Sequence, residues 1–190
     1  MPCDQAERLA ALRAQVQNIE GTGCASSTSV LPFGIADVDA RIAGGGLAAA
    51  ALHDVAAASA ELADDAAATL FLAALAGARC RTGETAGRTV LWALPRRDLF
   101  APGLACAGLP PDRLLYAECR SDEEVLAVME EGLRHGGLAA VVGEVKSCAM
   151  AAGRRLQLAA EEGATLALML RRWRKAGRDP LGQPSPTITH

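Results

Sequence analysis

The sequence predicts an α/β fold, with a mainly parallel sheet of about five strands, helices on both faces and an additional helix at the N-terminus. Short apolar runs carry this prediction, and they lie at residues 47–55, 89–94, 113–119, 138–145 and 165–170. Helical patterns separate most of the runs. The runs are apolar on both faces, which is typical of parallel sheets that are covered on both sides. Hydrophobic residues make up 51% of the 190-residue chain, which is enough to bury a core and excludes a disordered protein.

The segment before the first strand contains two helical patterns. Residues 4–20 predict a helix, because apolar side chains recur every three to four positions, at Leu9, Leu12, Val16 and Ile19. This helix is long enough to pack either on the core of its own chain or on another chain. A loop with glycine and proline follows, and residues 35–42 predict a second, short helix.

Longer helices are predicted between the later strands. The first covers residues 64–78, and the second begins at Ser121, which has capping-box spacing to Glu124. A third covers residues 148–162, and the chain from residue 171 onward is basic and then rich in proline and glycine. We therefore divide the chain into an N-terminal helix and linker (1–23), an α/β core (24–178) and a tail (179–190).

Composition excludes several classes of protein. The net charge of −3 provides no overall basic field for nucleic acid, so any such site is local. No apolar run approaches the ~18 residues that span a bilayer, and no basic segment followed by an apolar stretch predicts a secretory signal. The six cysteines contain no C-x-x-C pair, so we interpret them as small, reduced core residues of a cytoplasmic protein without a metal site or cofactor.

The loop after the first core strand lacks the residues that hold a nucleotide. A phosphate-binding loop needs glycines, a lysine and a hydroxyl for Mg²⁺, but residues 54–69 contain neither glycine nor lysine. Three carboxylates, Glu61, Asp64 and Asp65, occupy the turn and the helix start. A carboxylate ~4 Å from a like charge is repelled by about 4 kcal/mol at an effective dielectric near 20. The sequence therefore predicts an acidic helix N-terminus and a protein that is not an enzyme.

Other polar groups at strand ends form no catalytic set. Glu144 lies late in its strand, where an ATPase places a metal-binding acid, and we expect it to pair with Lys146 or an arginine. We interpret His53 as a packed or hydrogen-bonded residue. A divergent ATPase that uses Glu144 with Arg96 and Arg97 is the enzymatic alternative.

The loop after the last predicted strand is strongly basic. Five basic residues surround one tryptophan, and the set is Arg171, Arg172, Trp173, Arg174, Lys175 and Arg178. Guanidinium groups contact phosphates and an indole stacks on unpaired bases. The segment is therefore a candidate contact for single-stranded DNA or for an acidic protein partner, and a solvated basic turn is the alternative.

Three segments resemble one family in both sequence and order. LPFGIADVDARIAGGGL, ALHDV and GLPPDRLLYAEC are similar to segments of the ImuA family, the RecA-like proteins of the bacterial damage-inducible mutagenesis cassette. The resemblance covers about residues 9–170 and implies a RecA-like core. Family members usually extend beyond the point that corresponds to the end of this chain.

The resemblance implies a non-catalytic adaptor of the SOS response. ImuA proteins act in translesion synthesis with ImuB, an inactive relative of the Y-family polymerases, with RecA and, indirectly, with an alternative C-family polymerase. A division-inhibitor-like relative of RecA is a further alternative. Because RecA relatives polymerise and an alanine-rich helix face can also pair, a homo-oligomer is a further expectation.

Overall fold

A computed structural model describes residues 29–172 of the chain. Within this range the main sheet has five strands, which are β3 (Leu52–Ala56), β4 (Val90–Leu94), β5 (Leu114–Glu118), β6 (Ala140–Val145) and β7 (Leu166–Arg171). Their order in the sheet is β3-β7-β6-β4-β5, and every pair of neighbours is parallel. A separate antiparallel pair precedes it, formed by β1 (Val30–Leu31) and β2 (Leu47–Ala48). The predicted fold class is confirmed.

Helices cover both faces of the sheet. They are α1 (Ala36–Asp39), α2 (Leu62–Arg81), α3 (Ala101–Cys106), α4 (Asp122–His135) and α5 (Met150–Glu162). One buried cluster joins α2 to side chains such as Trp92, Val142 and Leu168, and a second joins α4 and α5 to Val141 and Met169. Because successive strand residues point to opposite faces, the apolar runs supply both clusters. Within the described range, no helix is long and apolar enough to cross a membrane.

Local signals in the sequence explain both ends of α4. The Ser121 hydroxyl accepts a hydrogen bond from the Glu124 amide at 3.3 Å, so the predicted cap is confirmed. The Glu124 carboxylate accepts from the Arg120 amide at 2.7 Å, one residue before the usual capping-box partner. Helix α4 ends at Gly136, whose φ of 65° is readily adopted only by glycine.

Three sequence expectations differ from the structure. The apolar run at 47–55 divides into β2 and β3, since β2 pairs with β1 and the chain turns before β3 joins the main sheet. Helix α3 was not predicted, because it has fewer than two turns and carries Pro102 at its start. Helix α2 begins two residues earlier than expected and extends to Arg81.

The interpretation of all cysteines as core residues is wrong for one of them. Cys80 and Cys119 are buried and Cys148 is partly buried, but Cys106 is exposed because it ends α3 at the surface. The predicted helix at 4–20, Cys3, Cys24 and the tail lie outside the described residues.

Candidate functional site: a cleft lined by ion pairs

The carboxyl ends of the parallel strands form an open cleft of about 540 Å³. Ligands of such folds bind beyond this edge of the sheet, so a nucleotide site would lie in this cleft. The cleft is lined by segments that follow β3, β4, β5, β6 and β7, together with the start of α2. Its charged lining is balanced, with Asp65, Asp98, Asp122 and Glu144 beside Arg96, Arg120, Lys146 and Arg172.

Arg172 connects two of the carboxylates across the cleft. It follows β7 directly, and its amide donates to the Val145 carbonyl at 2.9 Å. Its Nε and Nη2 donate to Glu144 Oε2 at 3.1 and 2.9 Å, and its Nη1 donates to Asp65 Oδ2. The guanidinium thus joins β6 to the first turn of α2, at the edge of the sheet where ligands of such folds bind.

Glu144 is held from both sides. Its side chain is 3% exposed, and Trp92 Nε1 donates to Oε1 at 2.9 Å while Arg172 occupies Oε2. Burial raises the pKa of Glu144, and the positive charge of Arg172 and the Trp92 hydrogen bond oppose that rise. Of the two partners expected for Glu144, Lys146 or an arginine, the structure has an arginine, Arg172. Both carboxylate oxygens are engaged within the protein.

The surroundings of Arg172 favour the charged form of its guanidinium. Burial alone lowers the pKa of its guanidinium, but hydrogen bonds to Asp65 and Glu144 and their negative charges outweigh this effect and raise it. A charge-assisted pair of this kind requires both partners to remain in place, because a carboxylate left alone in a buried site is costly.

The loop after β3 is closed by its own side chains. The Ser59 hydroxyl donates to Asp64 Oδ2 at 2.6 Å and accepts from the Glu61 amide at 3.1 Å. Glu61 is exposed at the N-cap of α2, Asp64 faces Ser59, and Asp65 faces Arg172. The three predicted carboxylates therefore occupy the turn with two different partners and do not form a single cluster.

The basic segment 171–178 begins in internal contacts. Arg171 Nη2 donates to Asp54 Oδ2 at 2.9 Å, and the side chain of this aspartate is fully buried. Together with the Arg172 contacts, this directs the first two arginines of the segment toward the sheet. Trp173, Arg174, Lys175 and Arg178 lie outside the described residues.

Two groups of the cleft were missed by sequence reasoning. Trp92 lies within an apolar run, where nothing signals that its indole nitrogen reaches a carboxylate on the neighbouring strand. Asp122 Oδ2 accepts from the amides of Lys146 and Ser147 at 3.0 and 3.1 Å, which shapes the loop after β6. Its position in the first turn of α4 was visible, but its partner was not.

His53 and the Arg96–Arg97 turn have ordinary structural surroundings. His53 Nε2 lies 2.9 Å from the Ala48 carbonyl, in agreement with the interpretation of a hydrogen-bonded histidine. Arg97 pairs with Glu118 at 3.3 Å, and both side chains are largely exposed. Arg96 lines the cleft from its rim.

The sheet and its cleft define a RecA-like α/β protein in which an internal arginine, Arg172, spans the cleft at the carboxyl ends of the strands. The crystal structure of SulA from Pseudomonas aeruginosa is similar, with a TM-score of 0.51 and 25% identity over 63% of this chain and 96% of that one. No family model matches the chain. Protein ImuA of Caulobacter vibrioides, from strains NA1000 and CB 15, is 38% identical over 156 residues, which is 82% of this chain. The chain belongs to the ImuA family, and it spans 63% of the length of those relatives.

Proposed function

We propose that this chain is a non-catalytic adaptor of the damage-inducible mutagenesis machinery, and that it acts in the cytoplasm through contacts with ImuB and RecA. Membership of the ImuA family supports the process and the partners. The ion-paired Arg172 at the nucleotide edge is the observation that supports an adaptor over an ATPase.

Nucleotide binding at this edge would have to dismantle the Arg172 contacts. A Mg²⁺–triphosphate needs free carboxylate or hydroxyl oxygens for the metal and free donors for the phosphates. Both carboxylate oxygens of Glu144 accept hydrogen bonds, and all three guanidinium nitrogens of Arg172 donate to Glu144 or Asp65. Breaking a buried pair of this kind costs about 3–5 kcal/mol, and the loop at 57–61 offers neither glycine nor lysine in return.

An exposed apolar surface supports a role in protein contacts. Leu62 is 84% exposed at the start of α2, and Phe100 is 72% exposed just before α3. Leu70 of α2 and Phe100 both lie beside Gly103, since a Cβ built there would be 3.7 Å and 3.3 Å from their side chains. Exposed apolar clusters on soluble proteins mark interaction sites. We name Leu70 and Phe100 the apolar surface; Leu62 lines the cleft and is a separate exposed leucine.

Calorimetric titration with ATP and Mg²⁺ tests the absence of nucleotide binding. We expect no binding tighter than about 1 mM, with purified RecA as the positive control. Micromolar binding, or phosphate release that disappears in Glu144→Gln, would contradict the proposal and favour a divergent ATPase.

Co-elution with purified ImuB and with RecA tests the partner contacts. We expect a complex with each, and we expect the variant Leu70→Ser/Phe100→Ser to weaken at least one of them. The matched control is Leu158→Ser, which removes an exposed leucine from α5. Failure of the unaltered chain to co-elute with either protein would refute the adaptor function.

A further inference from the structure

We propose that the amino-terminal edge of the sheet, opposite the cleft, binds the phosphate backbone of nucleic acid at a positive site formed by Arg79, Arg81, Arg88 and Arg113. We call these four residues the arginine patch. The inference does not rest on the adaptor function, because it concerns a different edge of the sheet and a different ligand.

The topology brings the four arginines to one place. Arg79 and Arg81 lie in the last turn of α2, and the chain from there leads through a short turn to β4. Arg88 precedes β4 and Arg113 precedes β5, and the register pairs Val90 with Leu114 at the start of these neighbouring strands.

Hydrogen bonds hold the turn that the patch surrounds. The Gly87 amide donates to the Cys80 carbonyl at 2.9 Å, and Arg113 Nη1 donates to the Gly87 carbonyl. The Thr85 hydroxyl donates to the Arg79 carbonyl at 2.7 Å. These contacts tie the end of α2 to the start of β4 and to Arg113, so the patch has a defined shape before any ligand binds.

Arg79 is the most unusual member. It is 8% exposed, and its Nε has no hydrogen-bond partner among the described residues. Burial lowers the pKa of its guanidinium, nearby Arg88 lowers it further, and Glu84 opposes both. A buried donor without a partner is costly, and a second guanidinium nearby adds repulsion. An anion bound to the more accessible Arg88 would relieve the repulsion between the two guanidiniums, and Arg79 adds its positive charge from below the surface.

The other three arginines keep donors for a ligand. Arg81 Nη1 donates to the Gly108 carbonyl at 2.7 Å, and Arg88 Nη1 donates to the Gly136 carbonyl at 3.0 Å. A guanidinium has five N–H groups, so such contacts leave most of them available. Arg113 has a carboxylate nearby, since its Nε lies 3.6 Å from an exposed oxygen of Asp112. With Glu84 and Asp112 as the nearby acids, the patch stays positive in a chain whose net charge is −3.

The surroundings favour a nucleic-acid backbone over a protein. Segments 79–90 and 106–113 contain no large exposed hydrophobic side chain, and the nearest ones along the chain, Leu115 and Tyr116, lie further along β5. Protein interfaces depend on aromatic and aliphatic anchors, which the four arginines therefore lack among their immediate neighbours. Guanidinium forks match the paired oxygens of a phosphodiester. With no exposed aromatic ring in these segments to stack on bases, binding should be independent of base sequence.

Fluorescence anisotropy with a labelled single-stranded oligonucleotide of about 30 nucleotides tests the site over about 50–200 mM salt. We expect Arg81→Gln/Arg113→Gln to weaken binding about tenfold or more and to reduce the slope of log K against log salt by about 1.4. The matched control is Arg41→Gln/Arg154→Gln, which removes the same charge from two other exposed positions. Arg174→Gln/Lys175→Gln tests the basic segment 171–178.

A second variant keeps the test valid if the arginine substitutions unfold the protein. Glu84 is exposed and close to Arg79, so Glu84→Gln should tighten binding about threefold by removing a repelling charge. The proposal is overturned if the chain does not bind the oligonucleotide, if Glu84→Gln leaves the affinity unchanged, or if only the Arg174/Lys175 variant loses binding. Equal competition by poly-glutamate of the same length also overturns it, and assigns the patch to an acidic protein.

Discussion

Replacing Arg172 by methionine removes the guanidinium that joins α2 to β6. Methionine keeps much of the aliphatic length, so the variant removes the charge and the hydrogen bonds with little loss of packing. The Glu144 carboxylate then stays buried with only the Trp92 hydrogen bond, and Asp65 loses its partner.

The expected loss in the free energy of unfolding lies near the lower end of the range for buried ion pairs. Removing one partner of a buried ion pair costs about 3–5 kcal/mol. The side chain of Glu144 is 3% exposed, but those of Arg172 and Asp65 are 18% and 31% exposed, so water offsets part of the loss. We expect the free energy of unfolding to fall by about 3 kcal/mol, which lowers the melting temperature by about 6–12 °C in a chain of this size.

The loss should depend on pH. Burial already holds the pKa of Glu144 above its usual value, and Arg172 opposes that shift. Removing Arg172 therefore raises the pKa further. A carboxyl whose folded-state pKa is raised stabilises the fold below its unfolded pKa of about 4.3 and loses that contribution as the pH rises through the folded pKa. The difference in the free energy of unfolding between the variant and the unaltered protein should thus be smallest in mild acid and should increase toward neutral pH.

Urea denaturation at several pH values measures both effects. The control is Arg172→Met/Glu144→Gln, which also removes the buried charge and should recover about 2 kcal/mol of the loss. A loss below about 1 kcal/mol for Arg172→Met, with no dependence on pH, would refute the view that the buried Glu144 carboxylate depends on this ion pair.

Three further predictions test the fold around the site. Ser121→Ala should lower the free energy of unfolding by about 1 kcal/mol, measured by urea denaturation, because the first turn of α4 loses its cap; an unchanged midpoint contradicts this. Gly163→Ala should lower the free energy of unfolding by about 2 kcal/mol or more in the same assay, because the added Cβ would lie 1.9 Å from the Leu133 carbonyl oxygen. An unchanged free energy of unfolding would show that the contact between α4 and α5 shifts to make room for the Cβ. Iodoacetamide should label exposed Cys106 well before Cys80, because burial shields the Cys80 thiol and raises its pKa; peptide mass spectrometry would reveal the opposite order.

Much of the fold could be predicted because its signals are local. Each core strand is a short apolar run, and the cap at Ser121 depends on residues three positions apart. The absence of glycine and lysine in the loop after β3 is likewise visible in a few adjacent letters. Helix α3 escaped prediction because it spans only Ala101–Cys106 and has no periodic pattern to detect.

For the contacts of the cleft, the sequence predicted the type of partner but not which residue it is. An arginine partner was expected for Glu144, but Arg172 is 28 positions away in sequence, and its second partner, Asp65, is 107 positions away. Nothing in the letters distinguishes Arg172 from the basic residues that follow it. The same is true of Arg79, whose burial depends on the return of the chain from α2 to β4.

The sequence alone determined the α/β class, most of the strands and helices, and the loss of phosphate-binding residues. The tertiary structure alone decided the strand order, the ion pairs of Arg171 and Arg172, and the gathering of four arginines at the opposite edge. The physical reason is distance along the chain. Periodicity and capping act between residues within a few positions of each other, whereas the partner of a charge is set by which strand ends the sheet brings side by side.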